Sequence, residues 1–267
     1  MRLIIVILLV ILGVQPIIAQ HVIVNSKDRD SMSVILVQNN LPVPVTVHVI
    51  SKIPSLDIKE WHPVPPESAE EELFAISKNK IPEGKDINEI IRIFFRIGQP
   101  GKHNHNDKYR YRYPFASGSS SSIVQGYHGT FSHQSIHSRY AIDFKMEIGD
   151  TIFAAREGLV AWVIEHNTEG GNDRSLTDKA NEIIIAHNDG SFSVYDHLDH
   201  QGSLVEIGEQ VERGQAIGIC GLTGFTTTPH LHFVVRIINE KAESIAIPVL
   251  FEKKPGKRLK VGKSYRH

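Results

Sequence analysis

The 267-residue sequence contains a single cysteine, Cys220, so no intramolecular disulfide can form and no multi-cysteine zinc site can be built. It lacks a charge excess as well. Twenty-nine Lys and Arg face thirty Asp and Glu, a net charge of −1, which argues against a nucleic-acid binder working by bulk positive charge. Neither wholesale disorder nor a polytopic membrane protein fits a chain that is 41% hydrophobic and 22% charged. The apolar run from Leu3 to Val14 is shorter than the ~20 residues needed to span a bilayer. No His-Glu-x-x-His segment is present. What the sequence does have is histidine, fifteen in all.

The N-terminus has the layout of a secretory signal peptide. Met1-Arg2 gives a basic start, the Leu3–Val14 run follows, Pro16 breaks it, and Ile17-Ile18-Ala19 offers a small residue for cleavage before Gln20. With no cysteine near that cut, lipid attachment there is excluded. The expectation is a cleaved segment 1–19 and an exported protein, periplasmic or extracellular, with no stable membrane span after cleavage.

Organisation along the chain reads as all-β and mainly antiparallel. From 20 to 108, short strand patterns predict a small β-sandwich-like domain and a linker. Val45, Val47 and Val49 alternate with Thr46 and His48, and Ile91, Ile93, Phe95 and Ile97 alternate with Arg92, Phe94 and Arg96. Repeated prolines from Pro42 to Pro66 exclude a long helix there. Ser68 with Glu71 suits either a capping box or the start of an edge strand. The polar, turn-rich stretch Gln99–Asp107 reads as the linker, with His103 and His105 in a solvated loop. From 109 to 252 strand signals are dense. Asn188-Asp189-Gly190 between two β-rich runs predicts a hairpin. The stretch 253–267 has seven Lys or Arg and no acid, and reads as a basic solvated tail able to touch anionic polymer or lipid.

Three separated segments carry the chemistry. In Pro229-His230-Leu231-His232-Phe233, strand geometry puts both imidazoles on one face and Leu231 on the other. In Tyr140-Ala141-Ile142-Asp143-Phe144, a carboxylate lies between core-facing residues, a costly position unless it is paired or metal-bound. His197 follows in Tyr195-Asp196-His197-Leu198. Two histidines on a strand are a weak signal alone, since a catalytic zinc needs three protein ligands and an open position. Cys220, in an apolar stretch, reads as a buried inert thiol.

Taken in order, these segments resemble the lysostaphin-like (LytM-type) zinc endopeptidases of bacterial cell-wall metabolism, in the long-loop His…Tyr-Ala-Ile-Asp-Phe subgroup. Gln125-Gly126-Tyr127, Phe131-Ser132-His133, Ala154-Ala155-Arg156-Glu157-Gly158 and the Gly221–Phe233 stretch add to the resemblance. It implies a LytM-type antiparallel β catalytic domain with an open groove and one zinc ion per chain. The implied metal ligands are His133, Asp143 and His232. His137, six residues before Asp143, is the alternative to His133. The implied catalytic histidines are His197 and His230, and Tyr127 is the implied substrate-binding residue. The implied substrate is the peptide part of peptidoglycan. The competing expectation is a non-catalytic module of the same fold that regulates other wall hydrolases.

Overall fold

The computed structural model describes residues 21–54 and 56–267. The signal-peptide expectation for residues 1–19 lies outside the described residues. Two compact units divide the chain, one ending at Pro100 and one starting at Gly101. Among the described residues, no helix is long and apolar enough to cross a membrane.

The first unit has strands β1 (Val22–Arg29), β2 (Met32–Asn39), β3 (Val45–Ser51), β4 (Lys59–Val64), β5 (Glu71–Ser77) and β6 (Ile91–Ile97). They form two antiparallel three-stranded sheets, ordered β1-β2-β5 and β4-β3-β6. The alternation in β3 places Val45, Val47 and Val49 in a buried layer. Thr46 and His48 are buried too. Thr46 donates to the Gly98 carbonyl at 2.7 Å, and His48 stacks on Phe94 at 4.7 Å. Glu71 opens a strand, the second of the two options left by the sequence. The capping box forms instead at Asp86 and Glu89, at the head of the one-turn helix Ile87–Ile90.

The second unit contains β7 (Arg110–Tyr111), β8 (Ser120–Gln125), β9 (Ile142–Lys145), β10 (Thr151–Phe153), β11 (Gly158–Ile164), β12 (Gly170–Gly171), β13 (Asn181–Ala186), β14 (Phe192–Ser203), β15 (Gln210–Val211), β16 (Ala216–Cys220), β17 (Gly224–Phe225), β18 (His230–Ile238), β19 (Ser244–Ile247), β20 (Leu250–Phe251) and β21 (Ser264–Arg266). Its large antiparallel sheet runs β15-β11-β13-β14-β18-β9-β8-β21, with β10, β16 and β19 attached off that path. The hairpin predicted around Asp189-Gly190 joins β13 to β14, with Ala186 opposite Phe192. One face of β9 and β18 sends Ile142, Phe144, Leu231, Phe233 and Val235 into a core shared with Tyr113 and Phe251. Each such side chain contributes roughly 1.5–3 kcal/mol by leaving water. The opposite face is free for chemistry.

Two segments differ from the sequence reading. Residues 101–108 are anchored to the second unit at a few points, and while the rest of the stretch, His103 included, is exposed, His105 is tucked in. The Asn104 amide donates to the Asp189 carbonyl, and the His105 side chain, 6% exposed, lies 3.4 Å from the Asp189 carboxylate. The expected solvated tail after residue 252 is also folded in. Leu259 is buried, β21 pairs with β8, and Lys254 lies over the Tyr265 ring. Basic composition masked both the few apolar residues that anchor this segment and the open edge of β8 that it covers.

Candidate metal centre and groove

On the face opposite Leu231, five polar residues lie side by side across five strands. Gln125 of β8 pairs with Asp143 of β9, and Asp143 with His232 of β18. His232 in turn pairs with Asp196 of β14, and Asp196 with Glu182 of β13. Residues directly opposite one another in a ladder share a face, so strand register alone assembles this row.

His133 joins the row from the loop before β9. Its Nε2 lies 3.1 Å from Asp143 Oδ1 and 3.2 Å from His232 Nδ1, and His232 Nδ1 lies 2.8 Å from the same carboxylate oxygen. All three residues are buried, and their donor atoms form a cluster able to hold a metal ion. The His133 tautomer is set by its other nitrogen. Nδ1 is 2.9 Å from the Gly126 carbonyl, which can only accept, so Nδ1 carries the hydrogen and Nε2 presents a lone pair. That lone pair and the Asp143 oxygen therefore face the His232 nitrogen at close range with no protein cation between them. Tetrahedral zinc with bonds of about 2.0–2.1 Å would hold its donors roughly 3.3 Å apart. The donor set, two imidazoles and one carboxylate, and the observed spacing both fit such an ion.

Electrostatics within the row point the same way. Burial works against the charge on Asp143, but the His133 and His232 imidazoles packed against it outweigh that cost and hold the carboxyl well below the usual range. Burial also works against a charged His232, and the Asp143 carboxylate reverses this and raises it. Gln125 supports the cluster from the side. Its Nε2 donates to Asp143 Oδ2 at 3.0 Å, and its Oε1 accepts from the Phe131 amide at 3.0 Å. At the far end of the row, burial and the neighbouring Asp196 push the Glu182 carboxyl up to about 8.

His197 reaches this face by an irregularity in β14. Glu182 is opposite Asp196 and Asn181 is opposite Leu198, so His197 is the extra residue of a β-bulge. Its φ of +71° is a left-handed conformation that non-glycine residues rarely adopt. Strict alternation would send His197 to the side opposite Asp196. The bulge instead brings its ring to 4.6 Å from that of His230 and 6.1 Å from that of His232. Gly221 lets the next strand close over the bulge. Its amide donates to the His197 carbonyl, and a Cβ there would lie 2.4 Å from Asp199 Cα.

Backbone carbonyls also orient the other two rings. His197 Nδ1 is 2.7 Å from the Thr223 carbonyl, and His230 Nδ1 is 2.7 Å from the Thr228 carbonyl. Each therefore presents Nε2 as a lone pair, and His230 Nε2 lies 3.7 Å from Asp143 Oδ2. Burial, with His230 next to it, lowers the His197 pKa to about 4. His197, His230 and Asp143 line one open groove enclosing about 490 Å³, with Gln125, His128, Phe131 and Phe225 along its walls.

Five of the residues singled out in the sequence thus come together, namely His133, Asp143, His197, His230 and His232. Tyr127 does not join them. Its hydroxyl accepts from the Val249 amide at 2.8 Å, its ring packs edge-on against Tyr140, and it does not line the groove. His128, the next residue, faces the groove instead, with φ +57°. His137 lies 2.5 Å from the Ser244 carbonyl, outside the cluster. Sequence reasoning assigned no role to Gln125, His128 or Asp196. Gln125 was visible only as part of a motif, because its function depends on register. Cys220 is buried in β16, and burial pushes its thiol up to about 12, in keeping with an inert side chain.

Comparison with known proteins gives this geometry a family. Residues 137–244 match the model of Peptidase family M23, a span that holds Asp143, His197, His230 and His232 and begins just after His133. Over that span the second unit matches the metallopeptidase family, and with His133 just ahead of it the His-Asp-His triad is intact. Over 103 residues the chain is 35% identical to the peptidoglycan DD-endopeptidase ShyB of Vibrio cholerae, covering 39% of this chain and 21% of that protein. Over 119 residues it is 36% identical to lysostaphin of Staphylococcus simulans, covering 44% of this chain and 22% of that one. It therefore spans about a fifth of the length of these relatives. Among solved structures, the lysostaphin catalytic domain from Staphylococcus simulans aligns with 44% of this chain and 78% of its own at 29% identity, with a TM-score of 0.31. A zinc-containing peptidase from Vibrio cholerae aligns with 80% of this chain and 55% of its own at 19% identity, with a TM-score of 0.39.

Proposed function

We propose that the chain is an exported zinc endopeptidase that hydrolyses peptide bonds of peptidoglycan. The observation that carries this reading is the convergence of His133 Nε2, Asp143 Oδ1 and His232 Nδ1 within 3.2 Å of one another beside an open groove. His133, Asp143 and His232 are the metal ligands. When bound, zinc supplies Lewis acidity, which lowers the pKa of water towards ~7 and polarises the scissile carbonyl. An open groove suits a polymer strand better than a closed pocket does. The peptidoglycan named as the substrate of ShyB supports a peptide of the cell wall, and export would place the enzyme where that polymer lies.

His197 and His230 handle the proton. Both rings are fixed by backbone carbonyls, and both present Nε2 towards the groove. One accepts a proton from the attacking water as its oxygen bonds to the carbonyl carbon. The C–N bond then breaks, and the proton passes to the leaving amine. The buried, neutral His197 is suited to accept or to hydrogen-bond without first losing a charge.

The test is to incubate the protein with purified peptidoglycan and defined muropeptides, with and without a chelator, and to measure zinc by mass spectrometry. One zinc per chain and chelator-sensitive release of peptide fragments with new amino termini are expected. Zinc binding without any bond cleavage would replace this reading with that of a non-catalytic module.

A further inference from the structure

Beside the metal cluster, the groove wall carries a feature that the proposed chemistry does not use. Phe131 and Phe225 stack face to face, with ring centroids 4.9 Å apart and planes 9° from parallel. Phe131 is 42% exposed despite its size. The Arg174 guanidinium lies over the Phe225 ring at 5.2 Å, and its Nη2 is 3.5 Å from the Phe131 carbonyl. Arg174 is exposed, and among the described residues no carboxylate pairs with it. The adjacent Asp173 carboxylate instead accepts from the Ser175 amide at 2.9 Å.

This wall is held in place from both sides. Gln125 joins Phe131 to the ligand Asp143 through one side-chain amide. On the other side, β12 pairs with β17, and Arg174 follows three residues after Gly171. Gly170 permits that pairing, since a Cβ there would lie 1.6 Å from the Leu222 carbonyl oxygen. The rings and the cation are therefore set at a fixed place relative to the reacting centre. A guanidinium stacked on an aromatic face keeps its outward N–H groups in one plane, the geometry that a carboxylate accepts two at a time.

We propose that Arg174 with the Phe131–Phe225 pair forms a substrate subsite for a peptide bearing a free carboxylate. The carboxylate is bound by Arg174, and the adjoining peptide lies across the rings. This deepens the endopeptidase reading and rests on it for the identity of the peptide. The subsite itself is tested by binding, independently of cleavage.

The probe is a cross-linked muropeptide dimer with free carboxylates on its stem peptides, compared with the same dimer fully amidated. Binding of each to the metal-free full chain is measured by calorimetry at low and high salt. The carboxylate form is expected to bind about fivefold more tightly at low salt, a preference that falls with added salt. R174Q should bring that ratio to about one, R174K should retain part of it, and F225A should weaken both forms. Equal binding of the two dimers by the unaltered chain, binding of neither, or a ratio untouched by R174Q would each overturn the proposal. Cleavage of the same dimers by the zinc-loaded chain reports separately on the endopeptidase reading.

Discussion

The second unit holds two buried clusters of histidine and carboxylate. At one, His133, His232 and Asp143 converge. At the other, around the β13–β14 hairpin, Asp189 meets His105, Ser191 and Arg156, with His187 nearby. Here the chain supplies its own cation. Arg156 Nη1 donates to Asp189 Oδ2 at 2.6 Å, and its guanidinium lies 4.2 Å from the Tyr109 ring centroid. Asp189 Oδ1 accepts from the Ser191 amide and hydroxyl. His187 is neutral, donating from Nδ1 to the Glu157 carbonyl and accepting at Nε2 from Ser193. At the metal centre, lone pairs and a carboxylate face inward without an arginine or lysine among them. Burying a histidine beside an aspartate does not distinguish the two clusters. What distinguishes them is whether the positive charge that balances the carboxylate belongs to the chain or must come from outside it.

Five experiments put that contrast under strain. The largest effect is expected from D143N or H232A, which remove a ligand. Metal content should fall to near zero, and kcat/KM should drop by at least on the order of 10³-fold. H230A should keep its zinc but lose about 10²–10⁴-fold in kcat through the missing proton transfer. Loss of zinc in H230A with activity retained in H232A would reverse the assigned roles. At the other cluster, R156M takes the arginine from the half-buried Asp189 carboxylate, which keeps Ser191 and His105 as partners. Urea denaturation should report about 1–3 kcal/mol of lost stability with the zinc stoichiometry unchanged.

Acid should act on the hairpin cluster as well. Burial, followed by the nearby Arg156 charge, lowers the His187 pKa to about 4. Between its ordinary value near 6.5 and 4, the unfolded chain binds the proton and the folded chain does not. Stability contributed by neutral His187 is therefore full above about pH 6.5 and is lost as pH falls towards 4, by about 3 kcal/mol. Denaturation curves for the chain and for H187Q across that range should diverge, with the variant showing the shallower pH dependence. The smallest effect is expected from Q125L, which leaves all three ligands but frees the Asp143 carboxylate. Zinc affinity measured by competition should weaken about ten- to a hundredfold.

Much of the metal centre was legible in the sequence because it lies on regular strands. Period-two alternation alone puts His230 and His232 on one face and Leu231 on the other, and the same holds for Asp143 between Ile142 and Phe144. Other parts were not legible. His133 comes from a loop, and only the Phe131-Ser132-His133 resemblance, with no periodicity to support it, favoured it over His137. Gln125 acquires its role only through the register of β8 against β9. Tyr127 was placed by resemblance, and its hydroxyl is bound to Val249 instead. The Arg156 motif stood out in the sequence without disclosing its purpose, because Asp189, its partner, lies 33 residues away. The folded C-terminal segment was hidden by its charge.

The bulge at His197 gives this domain a simple way to fall silent. Deleting one residue at that point would restore an unbroken ladder between β13 and β14 and turn the remaining side chain away from the cleft. The three ligands, carried on β9, β18 and the loop before β9, would keep their positions. Such a chain would still fold and still hold its ion, yet it would have lost one of the two histidines proposed to carry the proton. A single codon thus separates the proposed hydrolase from a scaffold that only looks like one.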